Sequence, residues 1–576
     1  MSRNIANWVA ECLAANDVER VFVYPGGTIA PLVNACIEIG IVIENFKNEQ
    51  GAGYAALAYS RLTGKPQVIM VTSGPGVTNI LTPLSDAYYD STPVIVITGQ
   101  VGTADLAGRL GARQRGFQEV PTVAITTPIS KFSICLQSAH DVFQYVPKSF
   151  AIALEGRHGP VVLDFPMDVQ RSELIAPDKQ ELTAMPVFGD IKEEKYALQD
   201  SILKDISETA LLAKFPVILL GQGALVAAEF ESYSKIAELL DAAVVTSFLG
   251  VGSYDTDNFR SLGYIGHTGH LAANKAVHDS DFLLVLGSRL DIRQTGNQVD
   301  HFVPNGKVAW VDIDLNELEN PRVGIDWKVK CCVSNFCNAL LKVLPDRTSN
   351  FNNKALAKFL AIKSQRSEDI PSGLNSGIQP RDLMDALNAI IKTDKTTVVT
   401  GVGCHQHWAA RHLSFKPHHL KHLSSGGHGA MGYDLPSAVG AAMAEPDRLI
   451  LCIVGDGSIL MNIQELATIK ERDLNIKIVV VNNNRLGMVS QFQLITWGTD
   501  PTTGDVDMLD FKSIGSGFGI QSFRLIDCTS MASSLREIFS AVGPSLIEVM
   551  VDSRADVVPM LLGGQKMNEM WMGRDQ

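Results

Sequence analysis

The sequence predicts an α/β protein built from three doubly wound domains with mainly parallel sheets. Short, continuously apolar runs rich in β-branched residues recur along the chain, and segments with apolar residues at helical spacing separate them. Such runs are typical of strands that are buried on both faces of a parallel sheet. With 576 residues, the chain is too long for one hydrophobic core, whereas three domains of about 150–200 residues account for its length.

Changes in composition divide the chain into units. Polar stretches at 171–195 and 346–380 interrupt the alternation of strands and helices and indicate domain boundaries. The predicted units are a first domain at 1–170, a middle domain at 190–345, a third domain at 375–555 and a C-terminal tail at 556–576.

Overall composition indicates a globular protein of a reducing compartment. Hydrophobic residues make up 46% of the chain and charged residues 19%, which argues against a disordered protein. The net charge of −13, without a basic tract, argues against a nucleic-acid partner. The sequence contains no run of 18 apolar residues, so no membrane span is expected. The first residues lack the apolar segment of a signal peptide. The nine scattered cysteines fit thiols in a core, so we expect a cytoplasmic protein.

Two strand ends in the third domain carry the most informative motif. The apolar run 449–454 leads into Gly-Asp-Gly, and the run 478–481 leads into three asparagines. Ligands bind beyond the carboxyl ends of parallel strands, so the side-chain oxygens of Asp456 and Asn483 can face one point. A set of oxygen ligands that carries little charge suits Mg²⁺, and glycines allow backbone N–H groups to approach a diphosphate closely. The alternative is an ordinary βαβ unit with a glycine-rich turn.

This motif resembles the signature of thiamine diphosphate (ThDP) enzymes, and nearly the whole chain resembles the catalytic subunits of the acetolactate (acetohydroxyacid) synthase family. The segments that carry the resemblance include Tyr24-Pro25-Gly26-Gly27, Glu49-Gln50-Gly51-Ala52-Gly53, the run from Thr72 to Asn79, Phe117-Gln118-Glu119, Gly401-Val402-Gly403, Gly429-Ala430-Met431-Gly432 and Leu486-Gly487-Met488. The resemblance implies a pyrimidine-binding domain, a middle domain and a diphosphate-binding domain.

The resemblance also implies which residues hold ThDP and its metal ion. Mg²⁺ would be bound by Asp456, Asn483 and the backbone carbonyl of Arg485. Met431 would be the apolar wedge under ThDP, although a core methionine would be buried in the same way. The other residues implied for ThDP are Pro25, Gly26, Gly74, Asn79, Gly401, Gly403, His405, Gly429, Gly455, Gly457, Ser458 and Met488.

Three residues are predicted to take part in catalysis. Glu49 would lie beside the aminopyrimidine ring and share its proton, which promotes removal of the thiazolium C2 proton. Without the resemblance, a lone glutamate before a helix would be interpreted as a first-turn charge or cap. Gln118 and Lys131 resemble the family's donor-loop residues, the first as a hydrogen-bond donor and the second as a cation near the acceptor carboxylate.

The middle domain resembles the FAD-holding domain of the same family. Glycine-rich ends of parallel strands suit a dinucleotide, and an arginine can pair with its phosphates. The residues implied are Gly266, His267, Thr268, Gly287, Ser288, Arg289, Asp291, Arg293, Asp312 and Asp314. In this family the flavin is structural and performs no redox step. The alternatives are a middle domain that binds nothing and one that binds a different nucleotide.

Departures from the family pattern lie near the expected acceptor. Tyr54 stands where the family usually has His, Cys404 where it has Gln, and Phe492 where it has its acceptor-selecting Trp. The loop from Gln100 to Phe117 is longer than usual. The candidate acceptor residues are Phe117, Phe492, Arg113 and Arg115, with Arg109 in the same loop. Arginines would suit an anionic acceptor such as a nucleotide-linked keto-sugar, whereas a solvated loop is the simpler interpretation.

Taken with the resemblance, these residues predict a ThDP- and Mg²⁺-dependent carboligase that transfers a two-carbon unit from pyruvate to an acceptor carbonyl. One alternative is a plain 2-oxo acid decarboxylase that releases the aldehyde. Another is a catalytically silent scaffold, against which the intact Glu49, Asp456 and Asn483 argue. A ThDP site shared between subunits implies a homodimer or homotetramer, and a regulatory subunit would be a further partner.

Overall fold

A computed structural model shows three α/β domains, each with one six-stranded sheet. The structure describes residues 3–108, 111–174, 198–345, 354–364, 377–391, 395–499 and 509–573. Every strand pair within the three sheets is parallel. The predicted fold class is therefore confirmed. Of the predicted linker 171–195, the part from 175 onward lies outside the described residues.

The first domain has the strand order β2-β1-β3-β4-β6-β5. Its strands are β1 Arg20–Tyr24, β2 Val42–Asn45, β3 Gln67–Val71, β4 Val94–Gln100, β5 Phe132–Cys135 and β6 Val161–Pro166. Its α-helices are Ile5–Ala15, Ala30–Glu38, Glu49–Thr63, Pro75–Tyr89, Thr122–Thr126, Ala139–Leu154 and Met167–Arg171, with 3₁₀ turns at Thr103–Asp105 and Thr127–Ile129.

The middle domain has the order β12-β11-β10-β7-β8-β9. Its strands are β7 Pro216–Leu220, β8 Ala243–Thr246, β9 Ser261–Tyr264, β10 Phe282–Leu286, β11 Lys307–Asp312 and β12 Trp327–Lys330. Its α-helices are Asp200–Leu212, Gln222–Ala227, Phe230–Leu240, Leu271–Asp279, Ile292–Thr295, Leu315–Glu319 and Val333–Val343, with 3₁₀ turns at Phe248–Gly250 and Val299–His301. The helix Lys354–Ser364, which falls within the polar stretch 346–380, packs Leu356 and Phe359 into this domain's core.

The third domain repeats the design with the order β14-β13-β15-β16-β18-β17. Its strands are β13 Thr396–Thr400, β14 Leu420–Ser424, β15 Leu449–Gly455, β16 Ile476–Asn482, β17 Gln521–Leu525 and β18 Ser545–Met550. Its α-helices are Pro380–Ile391, Cys404–His412, Asp434–Ala444, Asp456–Ile459, Glu465–Glu471, Gly487–Trp497, Phe511–Gly517 and Cys528–Ser540. No helix in the described ranges is both long and apolar enough to cross a membrane.

The first and third domains share one hydrophobic core. It lies where the helix Glu49–Thr63 crosses the helix Asp434–Ala444. A Cβ on Gly440 would lie 2.7 Å from the carbonyl carbon of Ala55, so the two backbones are in direct contact. Beside the crossing, the buried rings of Tyr54 and Tyr433 meet edge to face at 5.4 Å. Tyr54, one of the departures from the family pattern, therefore belongs to this core.

We expect Gly440→Ala to destabilise the protein by about 1–3 kcal/mol, because the added methyl group forces two packed backbones apart. Gly517→Ala is the matched control, since Gly517 also lies in a helix and a Cβ there meets nothing within 4 Å. That control should be neutral or stabilising by about 0.4–1 kcal/mol. Thermal and urea unfolding provide the measurement, and equal stability of the two variants would contradict the close crossing.

Candidate active site

One cluster of predicted residues lies at the carboxyl edge of the first sheet. Glu49 begins the helix that follows β2, and the residue is 4% exposed. Asn79 Nδ2 donates a hydrogen bond of 2.9 Å to Glu49 Oε2. The preceding residue, Asn48, caps the helix by accepting a hydrogen bond from the Gln50 N–H at 2.8 Å. The capping function thus belongs to Asn48, which leaves the Glu49 carboxylate available for another role.

Close packing fixes the two glycine loops around Glu49. A Cβ on Gly26 would lie 2.6 Å from Thr72 Oγ1, and one on Gly74 would lie 2.8 Å from Gln118 Cβ. Gly74 and Gln118 both have positive φ, at +65° and +63°. The structure thus brings Gln118 against the loop after β3, at the same edge of the sheet as Pro25, which follows β1.

A second cluster lies at the carboxyl edge of the third sheet. Asp456 follows β15 and Asn483 follows the adjacent β16, as the sequence predicts. The side-chain amide of Asn483 meets Asp456 Oδ1 and the carbonyl oxygen of Arg485. With its nitrogen toward them, the amide donates to these two atoms at 3.3 and 2.8 Å; with its oxygen toward them, it completes a set of three oxygens. Three oxygens that face one another repel unless a cation lies between them. This donor set fits a hard divalent cation such as Mg²⁺.

The surroundings of Asp456 favour binding of a cation. Burial raises the pKa of Asp456 to about 6, and backbone N–H groups of neighbouring residues, including Gly457 and Asn484, lower it. A cation would oppose the effect of burial and keep the carboxylate charged. Among the described residues there is no group of three or more His, Cys, Asp or Glu side chains that could hold a metal ion. The predicted Mg²⁺ site contains one carboxylate, one amide and one backbone carbonyl, so it does not need such a group.

The apolar residues beside the cation ligands form a platform. A Cβ on Gly457 would lie 3.3 Å from Met431 Cε and 2.6 Å from Leu486 Cδ2. Met431 is half-buried, so its thioether lies at a surface and does not fill the core. Cys404 is buried beneath Gly487, with its sulfur 2.7 Å from where a Cβ on that glycine would lie. The cysteine therefore packs against the loop that carries Met488.

Buried hydrogen bonds hold the loops of this edge together. Ser458 Oγ donates to Asp434 Oδ2 at 2.7 Å and accepts from the Gly432 N–H at 2.9 Å. His405 Nε2 lies 3.8 Å from the same Asp434 oxygen. Burial lowers the pKa of His405 to about 3 and raises that of Asp434 to about 7, so the histidine is neutral. A neutral ring packs under Gly403 and Gly455, which have no room for side chains.

The middle domain contains a cavity of about 790 Å³ at the carboxyl edge of its sheet. This volume lies within the range of about 300–1,000 Å³ that is usual for ligand pockets. Predicted residues that line the cavity are His267, Thr268, Gly287, Ser288, Arg289, Asp291, Arg293 and Asp312. Glycines of the third domain, including Gly427 and Gly429, line its other side. An elongated dinucleotide fits a cavity of this size at this position.

Two predicted residues of the middle domain shape the cavity without lining it. Gly266 has a φ of +108°, and a Cβ there would lie 3.0 Å from the carbonyl carbon of Arg293. Asp314 is paired with Arg157 of the first domain at 3.1 Å. Asp312, in contrast, lines the cavity, and burial raises the pKa of its carboxyl group to about 6.

Arg157 and Gln222 line the same cavity and were missed by the sequence analysis. Arg157 Nε donates to Ser91 Oγ at 2.8 Å, and its guanidinium also pairs with Glu317 at 2.7 Å. The Gly-Arg-His-Gly-Pro run directly before β6 and the Gly-Gln-Gly run directly after β7 were the available signals.

The predicted donor and acceptor residues are spread over several surfaces. Lys131 Nζ donates to the Glu155 carbonyl at 2.5 Å, near the cavity, and burial lowers the pKa of Lys131 to about 8. Phe117 is 85% exposed and Phe492 is 59% exposed, with its ring edge to face with Trp497. The loop residues Arg113 and Arg115 are also exposed. Arg109 lies outside the described residues.

Family models match each of the three domains. They are described as "Thiamine pyrophosphate enzyme, N-terminal TPP binding domain" over residues 3–125, "central domain" over 204–340 and "C-terminal TPP binding domain" over 401–549. Fold and site together thus define a thiamine pyrophosphate (that is, ThDP) enzyme.

Full-length relatives narrow this class. The chain is 33% identical to the acetolactate synthase isozyme 2 large subunit of Escherichia coli, over 98% of this chain and 99% of the relative. It is 33% identical to the mitochondrial acetolactate synthase of Schizosaccharomyces pombe, over 97% and 85%. It is 32% identical to the chloroplastic enzyme of Arabidopsis thaliana, over 99% and 84%. The chain therefore belongs to the acetolactate synthase family. It is a ThDP-dependent carboligase of the transferase class.

Proposed function

We propose that this protein decarboxylates pyruvate and transfers the remaining two-carbon unit to an acceptor carbonyl, with Mg²⁺ anchoring ThDP. Two observations support the proposal: the hydrogen-bonded Glu49–Asn79 pair at the edge of the first sheet, and the meeting of Asp456, Asn483 and the Arg485 carbonyl at the edge of the third. When bound, ThDP supplies the electron sink that accepts the electron pair left by carbon dioxide. The family named above supports pyruvate as the donor.

Each half-site supports a distinct role for its residues. Glu49 is nearly buried, and its carboxylate bonds to Asn79, so it can hold a proton at a fixed point. The oxygens of Asp456, Asn483 and Arg485 would hold Mg²⁺, and the glycines around them leave room for a diphosphate. Met431 and Leu486 would support the cofactor from below. Gln118, packed against Gly74, would contact the donor.

The arrangement favours an active site completed by a second subunit. The hydrogen bonds of the Glu49 carboxylate and of the Asp456 carboxylate stay within their own domains. Phe117, Phe492 and Trp497 are exposed, and a partner would bury them. A homodimer or homotetramer is therefore part of the proposal. Relatives named "catalytic subunit" or "large subunit" support a regulatory partner. Since other relatives are named mitochondrial or chloroplastic, a cytoplasmic location stays a prediction.

We also propose that the middle-domain cavity holds FAD in a structural role. Arg289, Arg293 and Arg157 provide positive charge for phosphates, and Asp312 offers an acceptor for hydroxyl groups. The flavin would stabilise the contact between the middle and third domains, whose residues face each other across the cavity.

The central test replaces the carboxylate of Glu49. We expect Glu49→Gln to keep ThDP and Mg²⁺ binding and to lower turnover by about 10²–10⁴-fold, as for other positioned acid–base groups. Measurements are carbon dioxide release and exchange of the ThDP C2 proton. Glu471→Gln is the matched control, because Glu471 forms only a surface pair with Lys47 and should leave both rates unchanged. Near-normal C2 exchange in Glu49→Gln would refute the assignment.

Metal binding is tested separately at Asp456. We expect Asp456→Asn to lose the thermal stabilisation that Mg²⁺ and ThDP together give the protein, with partial recovery at high concentrations of both. Asp473→Asn, the same change at an exposed position, should respond like the unmodified protein. Full stabilisation of Asp456→Asn at low Mg²⁺ would rule out Asp456 as a ligand.

Flavin binding is tested on the protein as purified. We expect absorbance in the flavin bands and release of FAD on denaturation. Arg289→Ala should lower the retained fraction, since the arginine lines the cavity, whereas Arg322→Ala at an exposed position should not. A colourless protein that gains no thermal stability from added FAD would contradict the proposal.

A second candidate function differs only in the acceptor. Phe492 lies at an exposed position where the family has a larger ring, and Arg113 and Arg115 are exposed in the loop before Phe117. A wider pocket with arginines at its rim would accept a bulky anionic carbonyl compound, such as a nucleotide-linked keto-sugar.

Competition among pyruvate, 2-oxobutyrate and a nucleotide-linked keto-sugar decides the acceptor. We expect weak discrimination between the two 2-oxo acids, because a missing part of an apolar wall removes about 10–200-fold of selectivity. If the anionic acceptor is used, Arg113→Ala and Arg115→Ala should raise its KM without changing that of pyruvate, and Arg536→Ala serves as the exposed control. Strong 2-oxobutyrate preference, unaffected by these changes, would reject the second candidate.

A further inference from the structure

A short segment after the last strand touches three elements of predicted function. We call residues 553–561 the strap. Its Ser553 carbonyl accepts a hydrogen bond from Arg485 Nη1 at 2.8 Å, its middle bonds to Gln491, and its end at Leu561 bonds to His267. The strap therefore connects the cation loop, the helix Gly487–Trp497 and the middle-domain cavity.

Gln491 holds the strap with two hydrogen bonds. Its Nε2 donates to the Val557 carbonyl at 3.0 Å, and its Oε1 accepts from the Val557 N–H at 2.8 Å. The side chain is 1% exposed. The amide of Gln491 thus pairs with both the N–H and the carbonyl group of Val557. The paired hydrogen bonds fix the distance and the relative rotation of the helix and the strap.

The far end of the strap is equally well anchored. The Leu561 N–H donates to the His267 carbonyl at 2.7 Å, and His267 Nδ1 lies 2.7 Å from the Leu561 carbonyl. Between these points, the buried Arg411 donates to the carbonyls of Val558 and Pro559, and also to Thr268. The strap is therefore a fixed reference for whatever Gln491 holds.

Polar contacts dominate the buried face of the helix Gly487–Trp497. Its residues that are fully buried are Ser490 and Gln491, and both are polar. Ser490 bonds to Arg485. Met488, at the start of the helix, packs against the core of the third domain, whereas Val489, Phe492 and Trp497 are exposed. Since Phe492 directly follows Gln491, a rotation of the helix about its axis would move the phenyl ring first.

We propose that Gln491 is a positioning residue that sets the acceptor side of the pocket: by clamping Val557 of the strap, it fixes the helix that carries Phe492. This inference rests on the proposed function, in which Phe492 borders the acceptor. It assigns Gln491 no contact with substrate. Gln491 would instead influence the partition of the two-carbon unit between transfer to an acceptor and protonation, after which it leaves as acetaldehyde.

The test compares Gln491→Met with Gln565→Met in the full-length protein loaded with ThDP, Mg²⁺ and FAD. Methionine keeps the length of the side chain and removes both hydrogen bonds. Gln565 is the matched control, because its Oε1 accepts a bond from the Leu562 N–H at 2.8 Å, outside the strap and away from the helix. Acetaldehyde, carbon dioxide and carboligation product are quantified together, and the KM of the acceptor is measured.

We expect Gln491→Met to raise acetaldehyde per carbon dioxide and the acceptor KM by about three- to tenfold, the usual effect of one or two lost hydrogen bonds. Total carbon dioxide release should stay within about twofold, because the donor side is untouched. Gln565→Met should change neither quantity. If Gln491→Met does not fold, Gln491→Asn, which keeps the amide group and shortens its reach, should give a smaller change in the same direction.

Phe492→Ala separates failure of this inference from failure of the proposed function. If Phe492→Ala changes the acetaldehyde ratio and the Gln491 variants do not, Gln491 has no positioning role and the proposed function stands. If neither change affects the ratio, the helix does not border the acceptor and this inference fails, whereas the proposed function fails only if the unmodified protein forms no carboligation product. An equal effect of Gln565→Met would show that any loosening of the tail suffices, and would overturn the inference.

Discussion

The close crossing of the helices Glu49–Thr63 and Asp434–Ala444 is the contact on which the rest of the structure depends. Gly440 lies against the backbone of Ala55, and around this point two sheets from different domains share one core. The same helix of the first domain begins with Glu49, so the crossing that joins the domains also fixes the direction of that carboxylate. Interiors packed at crystal-like density transmit such constraints with little slack.

The buried carboxylates at the edges of the first and third sheets differ in their partners. Glu49 bonds to Asn79, whereas Asp456 lies beside the Asn483 amide and the Arg485 carbonyl, where a cation would bind. Asp434 and His405 lie close together, but burial shifts both pKa values toward the neutral forms. The difference separates a structural contact from a binding site: neutral groups can be left in the core, while a charged oxygen cluster needs its ion.

The cavity of the middle domain is lined by residues from all three domains. One side consists of loops after β9, β10 and β11, and the other of glycines that follow β14. Arg157 of the first domain closes one end and pairs with Asp314 and Glu317. A ligand in this cavity would contact all three domains. A flavin bound there would therefore stabilise the arrangement of the domains without taking part in the reaction.

The sequence by itself determined the fold class and the position of the two residue clusters at strand ends. Continuous apolar runs define buried parallel strands, and residues directly after them, such as Asp456 and Asn483, are bound to lie at one edge. Only the tertiary structure decided what non-local packing controls: the backbone contact at Gly440, the entry of Arg157 into the cavity, and the path of the tail past Gln491 to His267. These contacts join residues far apart in the chain, and no local periodicity or spacing encodes which of them meet.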